Sequence, residues 1–266
     1  MINKPAIGVA AAVVVIAAGS WYYLHSRRAV LPRAPAATQQ PAPAEPPAEP
    51  PIQHPLPEAP ADAASKAPLP SLADSDAALR DALGLVAGTG AVKEYLLPEN
   101  IIRHLVVTLD NLPRQKVAVD KRPTNPAAGS FMANGDELNA SIDPQNYARY
   151  RPMVAAISKL DMQQLAAVYV RFYPLFQHAY QDLGYPNGYF NDRLVQVIDS
   201  LLATPRSMGP VDLVRPNVMY TFADPSLESR PAGQKLLIRM GPDNAAAIQA
   251  KLTELRAAIT AAPPKR

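Results

Sequence analysis

The side chains in this sequence best suited to catalysis are His178 and Asp182, which stand four residues apart. On a helix this spacing places them one turn apart, where a carboxylate orients an imidazole as a general base. A hydrolase would also need a nucleophile, but the sequence contains neither a G-x-S-x-G nor an S-x-x-K motif. A surface ion pair is therefore the competing interpretation. His104 has apolar neighbours, which favours a position at the edge of the core.

One short stretch supplies the candidates for binding, namely Tyr185, Tyr189, Asn191 and Arg193. The residues Gly-Tyr-Pro-Asn-Gly at 184–188 predict a turn, and loops on rigid scaffolds often carry binding groups. Exposed tyrosine rings stack on sugars or anchor a partner protein. The stretch thus predicts contact with a cell-wall glycan or an envelope protein, while a local ion pair is the alternative for the arginine.

Composition argues against several classes of function. With no cysteine, the chain has no disulfide, thiolate catalyst or cysteine-bound metal, and its four histidines lack metal-ligand spacing. We therefore predict no metal site and no cofactor. A formal net charge of +3 provides no basic stripe for nucleic acid. Gly88-Thr89-Gly90 lacks the remainder of any phosphate-binding motif and predicts an interhelical turn.

Hydrophobic spacing predicts one mainly α-helical domain over residues 71–262, with a minor β-hairpin. The hairpin is expected around Asn134-Gly135, and one or two short strands between Val211 and Phe222. Helices are predicted over residues 77–83, 92–97, 99–111, 161–183, 190–202 and 244–259. The helix from Asp161 has the clearest apolar face, and Pro174 within it predicts a kink or a break.

The segment 6–24 has no charged residue and predicts a transmembrane helix after a short tail, 1–5. As a helix it spans roughly 28 Å, close to a hydrocarbon core of about 30 Å. Lys4 precedes the segment and the aromatic residues 21–23 close it, as is typical of a membrane interface. The alternative is a cleaved signal peptide, with Ala17-Ala18-Gly19 as the cleavage site.

The side of the membrane on which the domain lies has two interpretations. More Lys and Arg follow the span than precede it, which taken alone would leave the domain in the cytoplasm. Large C-terminal domains translocate despite such charges, however, and the long segment behind the span favours an extracytoplasmic position. We therefore expect a single-pass protein of the bacterial inner membrane with its C-terminal domain in the periplasm.

Residues 25–70 are predicted to form a disordered, proline-rich tether. Proline fixes φ and removes a backbone donor, so the stretch favours polyproline II at about 3.1 Å per residue. The densest part, residues 31–70, would then reach on the order of 120 Å. The tether can act as a spacer, as a ligand for a proline-recognising domain, or as a simple linker.

Four strings in the chain carry a resemblance to a known family: Ser75–Arg80 (SDAALR), Asp110–Arg114 (DNLPR), Tyr185–Leu194 (YPNGYFNDRL) and Gln234–Pro242 (QKLLIRMGP). From Ser71 to Ile259 the chain resembles the bacterial domain-of-unknown-function family 3014. The resemblance implies a membrane segment, a proline-rich stretch and then the domain, and it implies no activity.

Together these features predict a non-catalytic interaction or scaffold protein of the bacterial envelope. It would sit in the inner membrane through residues 6–24 and meet an envelope protein or a cell-wall glycan. Two alternatives remain open: an envelope hydrolase that uses a histidine with a carboxylate, and a structural or chaperone-like accessory.

Overall fold

The computed structural model describes residues 51–57, 68–136, 139–207 and 209–260. The chain divides into two units, Met1–Ala48 and Glu49–Arg266, and every described residue belongs to the second. The predicted tail and the predicted span over 6–24 lie outside the described residues, as does most of the predicted tether. Within the described ranges, none of the helices combines the length and apolarity that crossing a bilayer requires.

Helices make up most of the described chain, which confirms the predicted mainly α fold. Two short 3-10 helices cover Leu72–Asp74 and Val119–Lys121. The α-helices are α1 (Ser75–Ala87), α2 (Thr89–Tyr95), α3 (Ile101–Asn111), α4 (Gln145–Ser158), α5 (Met162–Asp182), α6 (Phe190–Leu202), α7 (Pro225–Glu228), α8 (Ala232–Met240) and α9 (Pro242–Thr260).

Several helices differ from the sequence prediction: α2 covers 89–95 rather than 92–97, α3 begins at Ile101 rather than at residue 99, and α7 and α8 were not predicted. Helix α1 runs through Gly84 to Ala87 and ends at Gly88, whose φ of +83° suits the sharp turn into α2. Helix α5 continues through Pro174 without the predicted break. Proline removes one hydrogen bond, but the residues around it, including Phe172 and Phe176, are buried and hold the helix by packing.

Four short strands form one antiparallel sheet in the order β1-β2-β3-β4. The strands are β1 (Ala133–Asn134), β2 (Ala140–Ile142), β3 (Asp212–Val214) and β4 (Thr221–Phe222). The predicted hairpin is β1-β2 and is confirmed, and the strands expected between Val211 and Phe222 are β3 and β4. The sheet is larger than predicted because β2 also pairs with β3, aligning Ala140 with Leu213.

The largest core cluster lies where α1, α3 and α5 meet the start of α6. Phe172, Phe176 and Phe190 are nearly or wholly buried there, as the helical spacing of the first two predicts. Leu183 belongs to the same predicted apolar face but caps the end of α5 and is 39% exposed. Helix α9, the last described helix, packs across α4, α5 and α6.

Candidate functional site

The four residues predicted for binding all lie at the junction of α5 and α6. Tyr185 and Tyr189 belong to the turn between these helices, and Asn191 and Arg193 to the first turn of α6. Asn191 is fully buried and the other three are half-buried. The structure therefore brings all four together at one end of the bundle, with much of their surface inside the protein.

Aromatic packing holds the turn against α5. The Tyr185 ring stacks on Tyr180 with centroids 4.5 Å apart, and the Tyr189 ring lies 5.5 Å from that of Tyr173. Burial raises the pKa of Tyr173 and of its neighbour Tyr169 well above the ordinary value. These two phenols therefore stay neutral and act as hydrogen-bond donors.

Gln177 fixes the backbone of the turn from within α5. Its Oε1 accepts from the Tyr173 hydroxyl (2.8 Å) and from the main-chain N–H of Phe190 (2.8 Å). Its Nε2 donates to the carbonyl of Gly188 (2.6 Å). One amide side chain thus satisfies an unpaired donor at the start of α6 and an acceptor in the turn, which sets the position of Tyr189.

Arg193 turns inward and binds Asp110, near the end of α3. Its Nε donates to Asp110 Oδ1 (3.0 Å) and its Nη2 to the main-chain carbonyl of Asp110 (2.7 Å). The other carboxylate oxygen accepts from Arg114 Nη2 (2.5 Å) and from the Tyr185 hydroxyl (3.3 Å). The Asp110 side chain is only 4% exposed, so this network replaces water around a buried charge.

The opposite side of the junction holds a piece of the predicted tether. Residues 51–57, here called the strap, have the sequence Pro-Ile-Gln-His-Pro-Leu-Pro. The two carboxylate oxygens of Asp192 accept the main-chain N–H groups of Gln53 (3.0 Å) and His54 (2.6 Å). The Tyr189 hydroxyl accepts the main-chain N–H of Leu56 (3.2 Å).

Asn191 completes the binding of the strap and ties it to the bundle. Its Nδ2 donates to the carbonyl of His54 (2.8 Å) and to that of Ile259 in α9 (3.3 Å). Its Oδ1 accepts from the Tyr169 hydroxyl (3.1 Å). Because the side chain is fully buried and bonded at both ends, it is held in the orientation that the strap requires.

The docked strap differs from the expectation that the tether is disordered along its whole length. Proline leaves few donors in this stretch, yet three of its remaining N–H groups, those of Gln53, His54 and Leu56, are bound by the domain. The Leu56 side chain and that of Leu69, also in the predicted tether, pack against the main core cluster. Hydrogen bonding and apolar burial together offset the entropy of ordering the segment.

Residues 101–256 match the model of a family described as protein of unknown function, DUF3014. The chain belongs to DUF3014. This confirms the resemblance seen in the sequence, and the description of the family names no activity. No curated protein and no solved structure matches the chain.

The DUF3014 match contains the side chains that grip the strap but not the strap itself. Tyr189, Asn191 and Asp192 lie within the matched range, whereas residues 51–57 precede it. Asp110 and Arg193 are also inside it. The DUF3014 region thus supplies the receiving half of the contact.

The predicted catalytic pair of this DUF3014 chain lies on the surface. His178 Nε2 is 3.5 Å from Asp182 Oδ1, and Arg103 Nη1 is 2.9 Å from the other oxygen. His104 and Asp182 line a shallow basin of about 340 Å³. In the described part of the chain, no serine or threonine hydroxyl is hydrogen-bonded to either histidine, so the pair lacks an activated hydroxyl nucleophile there.

Three residues that position this junction were not among the binding residues predicted from the sequence: Asp110, Gln177 and Asp192. Asp192 lies between Asn191 and Arg193, two of the predicted binding residues, and this position is the feature of the sequence that points to its role at the junction. Asp110 and Gln177 lie 83 and 13 residues from their partners Arg193 and Phe190, so no local pattern links them.

Proposed function

We propose that this chain is a non-catalytic, membrane-anchored interaction protein of the bacterial envelope, and that its helical domain grips part of its own proline-rich tether. The observation that carries the proposal is the strap. Asp192, Asn191 and Tyr189 make four hydrogen bonds to main-chain groups of the strap. Such an arrangement recognises a peptide backbone and performs no covalent chemistry on it.

The membrane part of the proposal rests on the sequence of residues 6–24. This uncharged segment ends in an aromatic belt and is followed by the proline-rich stretch. A tether behind an anchor is useful where a domain must reach away from the bilayer. The arrangement supports an inner-membrane protein with the domain in the periplasm.

Docking of the strap would set the reach of the domain. With the strap free, residues 31–70 extend on the order of 120 Å at polyproline II spacing. With the strap bound, only residues 31–50 remain as spacer, a reach of roughly 60 Å. Release of the strap would therefore about double the distance that the domain explores, which suits a protein that searches for an envelope partner.

The packing of the tyrosines favours a protein partner over a cell-wall glycan. The Tyr185 ring stacks on Tyr180 and the Tyr189 ring packs at a tilt against Tyr173, which leaves less ring face for a sugar. A polypeptide with free main-chain N–H groups fits the carboxylate of Asp192 instead. The hydrolase alternative has weaker support because Asp182 is bonded to Arg103 as well as to His178.

Hydrogen exchange of the full-length chain tests the grip on the strap. The amides of Gln53, His54 and Leu56 should exchange slowly in the wild type. In D192A these amides should exchange about tenfold faster or more, because the variant removes two charge-assisted hydrogen bonds. The matched control is D81A, which removes an exposed carboxylate from the middle of α1.

The two variants separate docking from general stability. D81A should leave exchange of the strap unchanged, and both variants should keep the circular dichroism of the wild type. Equal and rapid exchange of the strap amides in the wild type and in D192A would contradict the proposal, since the strap would then be undocked in solution.

A further inference from the structure

Helices α1 and α2 form a hairpin in which α1 packs into the core through residues such as Leu79, whereas α2 packs mainly on α1. Every residue of α2 keeps part of its surface exposed. Val92 and Tyr95 on α2 line a gap together with Met153 and Ile157 on α4. An apolar face of α2 and one of α4 thus border the same empty space, whereas protein interiors normally fill such spaces with side chains.

The gap is one of two neighbouring apolar chambers. The first, between α1, α3, α5, α6 and α9, has a volume of about 200 Å³ and is lined by leucine, valine, isoleucine, phenylalanine and a tyrosine. The second, under the hairpin, has about 190 Å³. Leu83 of α1 and Leu165 of α5 line both chambers, so these two side chains form the wall between them.

The lining and the size of the chambers restrict what can occupy them. The surface that these residues expose to the chambers is almost wholly apolar. Such walls do not hold ordered water or a polar ligand, and an engineered apolar cavity of about 150 Å³ binds benzene. A single turn of α-helix, with a diameter of about 10 Å, fills roughly 400 Å³. A partner helix is therefore too bulky for either chamber, while a flexible hydrocarbon is not.

We infer that the two chambers are a binding site for one aliphatic chain, such as the acyl chain of a fatty acid. Scaled from the benzene cavity, the combined volume suits on the order of a dozen carbons. The chain would thread from under the hairpin past Leu83 and Leu165, whose side chains rotate without breaking a hydrogen bond. The second chamber shares no lining residue with the strap site, and the first meets it only through Tyr169 and Phe190, so the inference does not depend on the proposed function.

Photolabelling of the full-length chain tests this site. The protein is incubated with phosphatidylcholine vesicles that contain palmitic acid bearing a diazirine, and the labelled peptides are identified by mass spectrometry. In the wild type, label should appear on α2 and on α4, beside Val92 and Ile157. An excess of unlabelled palmitic acid should reduce that labelling, as expected for a site of limited capacity.

A matched pair of variants on α4 decides whether the chamber holds the ligand. A156F places a ring in the second chamber, whereas A155F places the same ring on the adjacent exposed position. A156F should lower labelling of α2 and α4 about tenfold because the ring displaces methylenes whose burial provides the affinity. A155F should label like the wild type. A91L fills the same chamber from α2 and provides a second, smaller test.

Three outcomes would overturn the inference. The first is wild-type label confined to peptides outside the two chambers. The second is equal labelling of A156F, A91L and A155F, each shown by circular dichroism to be folded. The third is a photo-cross-link from a photoreactive amino acid introduced in place of Val92 to a segment of the chain itself that fills the gap and excludes palmitic acid.

Discussion

The inward turn of Arg193 shows how a residue with a binding signature can serve the fold. Its guanidinium binds both a carboxylate oxygen and the main-chain carbonyl of Asp110. A planar fork of donors suits this geometry, and an ammonium group does not reproduce it. The arginine thereby joins the start of α6 to the end of α3 and fixes the junction at which the strap docks.

Replacing Asp110 should therefore destabilise the protein strongly. In D110N the Arg193 guanidinium, which is 18% exposed, loses its charged partner, and removing one member of a buried pair costs about 3 kcal/mol. Urea denaturation would measure the loss. The control is D182N, which breaks a pair whose side chains are 44% and 39% exposed and should cost under about 1 kcal/mol. Similar costs for the two variants would contradict this account.

For individual residues, the sequence predicted which positions carry polar and aromatic side chains that make specific contacts, but not whether those side chains face solvent or the interior. The turn residues Tyr185 and Tyr189 and their neighbours were identified from residue type and position. Whether each side chain points to solvent depends on contacts with distant segments. Asn191 is the clearest case, since its partners Ile259 and His54 lie 68 and 137 residues away.

The elements of the fold were predictable to the extent that each is specified locally. Helix α6 begins and ends where its apolar period and flanking turn signals predict. The β1-β2 hairpin follows from Asn134-Gly135. The pairing of β2 with β3 joins residues some seventy positions apart, and strands this short carry no pattern that specifies such a partner.

Glu228 connects the sheet to the helices beside it. It accepts the main-chain N–H of Phe222 in β4 (3.0 Å) and pairs with Lys235 in α8 (2.8 Å). Burial alone would raise the pKa of Glu228, but the hydrogen bonds from Lys235 and Phe222 outweigh it and lower the pKa below 4.5. The ionised carboxylate is therefore favoured by folding.

This lowered pKa predicts how a substitution responds to acid. Stability from Glu228 is fully present above 4.5, the ordinary pKa, and is lost as the pH falls through the lower folded value. E228Q should thus be less stable than the wild type at pH 7, and the difference in thermal midpoint should shrink as the pH falls below 4.5. Calorimetry at a series of pH values measures this. A difference in thermal midpoint that stays constant with pH would contradict this prediction. The control is E254Q, at a more exposed ion pair, which should lower the thermal midpoint only slightly.

At the scale of the whole molecule, the proposed anchor makes a prediction about the intact cell. Full-length protein should sediment with membranes after cell breakage and resist extraction by carbonate, because residues 6–24 favour hydrocarbon over water. A compartment-sensitive reporter fused after Arg266 should be active in the periplasm. Recovery of uncleaved protein in the supernatant would rule out the anchor, and a cytoplasmic reporter signal would reverse its orientation.

The relation between tether and domain was the part of the architecture least accessible to sequence. Proline content predicts an extended segment that cannot form helix or sheet, and the strap is indeed free of both. The same composition is compatible with docking wherever a surface offers acceptors to the remaining N–H groups. Asp192 and Tyr189 supply those acceptors, and only the folded domain brings them to the strap.

A measurement of the distance between the strap and the helical domain tests most directly the central claim, that the domain binds the strap. Since the chain has no native cysteine, spin labels can be placed uniquely on I52C in the strap and A155C on α4, both at exposed positions. Double electron–electron resonance on the full-length protein should give one narrow distance distribution, which broadens when D192A is added. A broad distribution without D192A would contradict the account, because the strap would then move independently of the domain.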